Sequence, residues 1–242
     1  MDQCYEKKYH EFEKNYFWNK GRNDMIFNLI QTVDRNVKIL DVGCSGGQLI
    51  ELLSINSFVN IYGIDVSENA INKCKEKGLN NVFVMDGEKP IFNNDRFDII
   101  IASDVLEHIE NDRSGLAEWN KLLKPGGQLV IFVPAYRFLW SYIDELNHHY
   151  RRYSKTSLIS RLEEANFKVD RSSYWNFCLF FPVSLIRFYQ RLFPGKVKDD
   201  FYELNLLVSK LLIGLLNIEN WFLKRFNFLF GVSVFAVARK IK

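Results

Sequence analysis

Apolar and polar positions follow two rhythms along this chain. Between residues 37 and 133 short apolar runs alternate with amphipathic stretches, the pattern of a parallel sheet covered by helices on both faces. Strands are predicted over 37–42, 59–65, 82–85, 97–102 and 128–133. Ile99, Ile100 and Ile101 suit a strand buried on both sides. A helix is expected to begin at Gly47. A second has Ser67 as its cap, Glu68 in its first turn and Gly78 as its stop. A third, over 112–123, is closed by Lys124-Pro125-Gly126-Gly127. A helix over 154–165 follows, capped by Ser154 and ended by Asn166, then strands over 167–174 and 232–238. Residues 9–32 read as one or two lead-in helices.

The last two strands are about 55 residues apart, far more than an ordinary connection needs, so a structured insertion is expected there. It also explains the aromatic fraction of 15%. Trp175, Phe177, Phe180, Phe181, Phe188, Tyr189, Trp221, Phe222, Phe226, Phe228 and Phe230 all fall in or beside it. Helical spacing sets Val183, Ile186, Tyr189 and Phe193 on one side, with Arg187 and Arg191 on another. A second helix carries Leu204, Leu207, Leu211, Leu215, Ile218 and Phe222. Lys210, Asn217, Glu219 and Asn220 interrupt it too often for a membrane span. The insertion is then either a lid whose apolar face packs on the sheet, or an element lying in a membrane surface that admits a lipid-linked acceptor.

Composition narrows the classes. A chain of 242 residues with 25% charged and 48% hydrophobic residues can bury a core without disulfides or structural metal. A net charge of +3, mixed along the chain, argues against nucleic acid as partner. The scattered Cys4, Cys44, Cys74 and Cys178 form no C-x-x-C pair, so no metal is expected, and Cys44 reads as a passive small residue facing the core, with no base or metal partner. The amino terminus shows no apolar signal-like run, which leads to the expectation of a cytoplasmic protein, or one peripheral at the inner face of the membrane.

The chemistry concentrates where the first strand ends. Gly43, Gly46 and Gly47 allow a sharp turn that brings backbone N–H groups close to a ligand. Asp41 sits at the strand end, and Asp65 ends the second strand, where a carboxylate can accept both hydroxyls of a ribose. The pair implies a nucleoside ligand. The glycine order is G-x-x-G-G, not the G-x-G-x-x-G of dinucleotide sites.

The passage Val37-Lys-Ile-Leu-Asp-Val-Gly-Cys-Ser-Gly-Gly47 resembles the acid-then-glycine motif of class I methyltransferases that use S-adenosylmethionine (SAM), with Ser45 at the middle glycine. Asp65 matches the family's ribose-binding acid, and Met85-Asp86-Gly87 the segment near the adenine. Ser103-Asp-Val-Leu-Glu-His108 matches the segment after the fourth strand, and Leu123-Lys-Pro-Gly-Gly127 the turn before the fifth. The resemblance spans residues 37–170. It implies an α/β, Rossmann-like sheet of seven mostly parallel strands with an antiparallel last strand, helices on both faces and the helical insertion between the last two strands. The whole forms one domain: a lead-in over 1–35, a core over 36–176 and 231–242, and an insertion over 177–230. It implies SAM as cofactor, held by Asp41, Gly43, Ser45, Gly46, Asp65, Val66, Asp86, Gly87 and Ser103. From the lead-in, Trp18 or Tyr16 would pack on the sulfonium and Arg22 would reach the cofactor's carboxylate.

Methyl transfer needs alignment and exclusion of water, and a hydroxyl acceptor also benefits from a base. His108, His148 and His149 are the candidates, since they follow the fourth and fifth strands; His10 reads as incidental. Tyr150, Arg151, Arg152 and Tyr153, in Asn147-His-His-Tyr-Arg-Arg-Tyr153, are candidates for gripping an anionic or hydroxylated acceptor. The alternative ties this segment to Asp144 and Glu145 as a solvated helix entrance. The expected reaction is O-methylation of a sugar or phenolic hydroxyl on a small-molecule or lipid-linked acceptor. N- or C-methylation, a nicotinamide- or nucleotide-sugar-dependent oxidoreductase, and a non-catalytic SAM-binding module are the competing readings. Oligomeric state is not legible.

Overall fold

The computed structural model describes residues 16–192 and 205–241. Helix α1 (Phe17–Ile30) precedes β1 (Lys38–Val42), α2 (Gln48–Ile55), β2 (Asn60–Asp65), α3 (Glu68–Glu76), β3 (Val82–Val84) and β4 (Phe97–Ser103). Then come α4 (Asp112–Leu122), β5 (Leu123–Pro134), α5 (Tyr142–Leu146), α6 (Lys155–Glu164) and β6 (Phe167–Trp175). Helices α7 (Phe180–Leu192) and α8 (Leu206–Leu223) lie before β7 (Ser233–Lys240). Cys4, His10, Phe193, Leu204 and the lead-in before Tyr16 lie outside the described residues.

The seven strands form one sheet in the order β3-β2-β1-β4-β5-β7-β6. The pairings from β3 through β5 are parallel, and β7 is antiparallel to both β5 and β6, as expected. Side chains alternate between two apolar layers because strand periodicity is two. Leu40, Ile100, Leu129, Trp119 and Leu158 fill one layer; Ile39, Ile99, Ile101, Met25 and Trp175 fill the other. Strand order reverses between β1 and β4, which opens a crevice beyond their carboxyl ends.

Local signals account for most boundaries. The Ser67 hydroxyl accepts the Ala70 N–H at 3.1 Å, Gly78 leaves α3 with φ +81°, and Ser154 accepts the Ser157 N–H at 3.1 Å. One boundary moved. Strand β5 begins at Leu123, which pairs with Phe97, while Gln128 pairs with Ile99, so Lys124 to Gly127 bulge out of a strand already begun. The five-residue α5 was not foreseen, being too short to show periodicity.

Helix α8 is clamped to the sheet domain by the polar residues that interrupt its apolar run. Asn220 accepts the Trp175 indole N–H at 2.9 Å and donates to the Gly21 carbonyl at 2.8 Å. Glu219, 2% exposed, accepts the Phe177 and Cys178 N–H groups at 3.0 and 3.1 Å. Leu216 lies so close to α1 that a Cβ on Gly21 would stand 2.6 Å from its Cδ1. Arg171 reaches the Leu223 and Phe226 carbonyls at the end of α8, where a cation is favoured.

Candidate active site

The glycine loop is built for close approach. Gly43 has φ +72°, and a Cβ there would stand 2.5 Å from Val105 Cγ2. Gly47 starts α2 at φ +79°. Ser45, at the middle glycine position, also holds a positive φ of 46°. The Gly43 and Cys44 N–H groups donate to the Ile64 carbonyl at 2.8 and 3.0 Å. Asp65 then ties the loop to the end of β2, its carboxylate accepting the Ser45 and Ser67 N–H groups at 2.9 Å each. The buried Cys44 thiol neighbours that of Cys74, a contact that together with burial raises the Cys44 pKa. Cys74 in turn donates to the Ser45 carbonyl at 3.1 Å.

Asp86 accepts the Glu88 N–H at 2.8 Å. The Gly87 carbonyl accepts the Trp119 indole N–H at 2.8 Å, and a Cβ on Gly87 would lie 2.9 Å from Val42. Both turns are therefore rigid walls.

A cavity of about 990 Å³ opens between these walls and the insertion. Of the residues assigned to the cofactor, Trp18, Arg22, Asp41, Gly43, Ser45, Asp65, Val66, Asp86, Gly87 and Ser103 line it. Gly46 does not; its carbonyl accepts Lys77 Nζ at 2.7 Å. Trp18 packs edge-on against buried Trp175 at 5.4 Å, and Arg22 is ion-paired with Asp104.

The three candidate histidines, Tyr150 and Arg152 also line the cavity. Arg151 and Tyr153 do not. Arg151 donates to the Ile109 and Glu110 carbonyls, bracing the turn after β4. Tyr153 is buried beside Ala135, its hydroxyl donating to Asp112 at 3.0 Å. At its end the segment bridges to Ala135, just past β5, which turns Tyr153 inward while the preceding Arg152 faces the cavity.

The loop 147–153 is organised by Asp144, which is 1% exposed. Its carboxylate meets His149 Nδ1 at 2.9 Å, accepts Arg152 Nε at 2.7 Å and Nη2 at 3.0 Å, and takes the Ser141 N–H at 2.8 Å. Burial would raise this carboxyl, but the hydrogen bond from His149 and the Arg152 guanidinium outweigh it and hold the group well below the usual carboxylate range. The tie to Asp144 weighed from sequence is thus real, but buried within the cavity wall rather than solvated.

Across from it, a 3-10 turn (Leu106–His108) brings Glu107 and His108 to the same place. The His108 and His149 rings meet edge to face at 4.5 Å. Burial, reinforced by His149, lowers the His108 pKa to about 3, so this ring stays neutral. Glu107 is fully buried, and neither carboxylate oxygen has a hydrogen-bond partner among the described residues. Burial pushes it up to about 8. Glu107, His108 and His149 each offer one ligand atom, all within 4.8 Å of one another, close enough to share one cation.

Sequence reasoning did not place Glu107 or Asp104 in the cavity, nor the α7 residues Pro182, Val183, Ile186 and Arg187 in its lining. Glu107 lay inside the Leu-Glu-His motif, so its position was visible although its burial was not.

A sheet of this order with a glycine loop at its switch point defines a SAM-binding α/β transferase. A family model described as a methyltransferase domain matches residues 12–172, and the chain belongs to that family: it is a SAM-dependent methyltransferase. The chain is 24% identical over 194 residues to a ubiquinone biosynthesis O-methyltransferase of Rickettsia bellii, covering 66% of this chain and 80% of that one. A SAM-dependent methyltransferase from Archaeoglobus fulgidus shares the fold with a TM-score of 0.59 at 20% identity, over 90% of this chain and 92% of that one. Phosphoethanolamine N-methyltransferase 2 of Haemonchus contortus, solved with SAM, gives 0.58 at 18% identity, over 91% of this chain and 53% of that one.

Proposed function

We propose that this enzyme transfers the methyl group of SAM to a hydroxyl oxygen of a small-molecule or lipid-linked acceptor, with His149 as general base. The observation carrying this reading is the His149–Asp144 pair on the cavity wall. Asp144 engages Nδ1 and orients the ring, leaving Nε2 as the nitrogen to take the acceptor's proton. His108 is too weak a base once buried, and the Asp144 carboxylate that orients His149 does not reach exposed His148. A neutral amine, which attacks through its lone pair, would gain less from an oriented base. The O-methyltransferase relative, whose name specifies ubiquinone biosynthesis, supports a phenolic hydroxyl as the first acceptor class to try.

The residues present fit SAM. Gly43 and Gly87 stand where a Cβ would collide with Val105 and Val42, as a narrow nucleoside slot requires, and Asp65 closes it with a carboxylate able to accept from a ribose diol. Asp86 is the group for the adenine side. Trp18 offers a ring to the sulfonium. When bound, SAM supplies an electrophilic methyl on a cationic sulfur. The protein's part is to align the acceptor, exclude water beneath α7 and accept a proton at His149. Arg152 serves as a brace for Asp144, and Tyr150 is the acceptor contact retained from the sequence.

The test is labelled methyl transfer to phenols, sugars and amines compared side by side. Transfer to a phenolic or sugar oxygen, with kcat lowered in His149→Gln and its pH profile altered, is expected. Efficient transfer to amines that survives His149→Gln would overturn the assignment.

A further inference from the structure

Helices α7 and α8 and the turn over 224–229 hold more than half of the exposed large apolar side chains among the described residues. The arrangement is regular. On α7, Phe181, Leu185, Phe188 and Leu192 recur at steps of four, three and four, one stripe in which every side chain is more than half exposed. On α8, Leu207, Leu211 and Ile218 form a matching stripe that ends at Trp221. Val183 faces the cavity, and Leu216 and Leu223 are buried in the core. Soluble proteins seldom leave so large an apolar face to water.

Among the described residues the charges beside these stripes have one sign. Arg191 adjoins the α7 stripe, and Lys210, Lys224 and Arg225 adjoin that of α8. Between Phe177 and Phe230, the carboxylate among the described residues is Glu219, which is turned inward. An apolar band edged by cations fits a bilayer with anionic headgroups. A second copy of the same face would set like charges against each other. No helix among the described residues is long and apolar enough to cross a membrane.

Resting on the methyl-transfer reading, we infer that the outer face of α7 and α8 docks on an anionic membrane surface, so that the cavity under α7 opens toward lipid and takes an acceptor carrying an apolar tail. The lid and the membrane contact weighed from sequence are then two faces of one helix.

Flotation of the full chain with vesicles tests this. Association is expected with phosphatidylcholine vesicles containing phosphatidylglycerol at low salt, and should weaken in pure phosphatidylcholine and at high salt. The double substitution Leu185→Ser, Phe188→Ser should reduce it by about tenfold or more. Brominated lipid should quench Trp221, and Trp221→Phe should remove that quenching. Absence of association at low salt would overturn the proposal, as would a concentration-dependent dimer abolished by the same double substitution. Calorimetry with SAM and methyl transfer to a water-soluble phenol, run on the same preparations, keep the two readings apart. If both persist while vesicles are ignored, only the docking falls; if they are absent, the reading beneath it falls.

Discussion

The two halves of the cavity are held by different kinds of structure. The cofactor half is made by strand ends and tight turns, where Gly43, Asp65 and Gly87 are fixed by backbone hydrogen bonds and close contacts within one sheet. The acceptor half is made by a loop around one buried carboxylate, Asp144, and by a helix lying across the opening. In the proposed reading the first binds SAM, a group common to many enzymes. The second can change loop by loop without disturbing it, which is how one fold serves unlike acceptors.

If the halves are separable, damage to each should appear in a different measurement. The largest effect is expected for His149→Ala: kcat falls by about 10²- to 10³-fold while SAM affinity is unchanged. Loss of SAM binding in that variant would break the comparison. Gly43→Val should do the reverse, weakening SAM binding about 100-fold, because its side chain has no room against Val105 and the positive φ is strained. Titration calorimetry checks both. Asp65→Asn should weaken SAM about tenfold, having lost a charged acceptor for two loop N–H groups and the ribose.

The smallest effect concerns stability. Glu107 has a folded pKa raised to about 8 from 4.5, so its contribution is fully present below pH 4.5 and is lost as pH rises through 8. Asp144 runs oppositely, its contribution being present above pH 3.8 and lost as pH falls below it. The Tm of the wild type should therefore decline between pH 5 and 8, and Glu107→Gln should flatten that decline, by about 2–4 °C for each kcal/mol that the Glu107 carboxyl contributes. Parallel curves for the two proteins would mean that Glu107 ionises freely.

The same division explains what the sequence could tell. The cofactor half was legible because its residues sit at strand ends, where apolar periodicity locates them and glycine and aspartate spacing is local. The seven mostly parallel strands and the antiparallel β7 followed from the family resemblance those residues carry, whereas the strand order came only with the structure. The acceptor half was legible only as composition. Nothing local says that His149 and Arg152 converge on Asp144, that Glu107 loses all access to water, or that Tyr153 turns inward while Arg152 turns toward the cavity. Those outcomes depend on the bridge from Tyr153 to Ala135 and on the turn after β4. In the insertion, Glu219 and Asn220 argued correctly against a span. Their actual work, clamping α8 to Trp175 and Gly21, needed the partner side chains to be seen.

Strand β7 lies between β5 and β6 and is the neighbour of both. On the ribosome, the strand that completes the sheet is therefore synthesised after every other one. Until residues 233–240 emerge, β6 has no strand to pair with and β5 presents an open edge, just as the apolar helices of the insertion are leaving the exit tunnel. A chain truncated before Ser233 would lose more than a terminal strand: β6 would be detached, and with it the loop through which the insertion is attached to the rest of the enzyme.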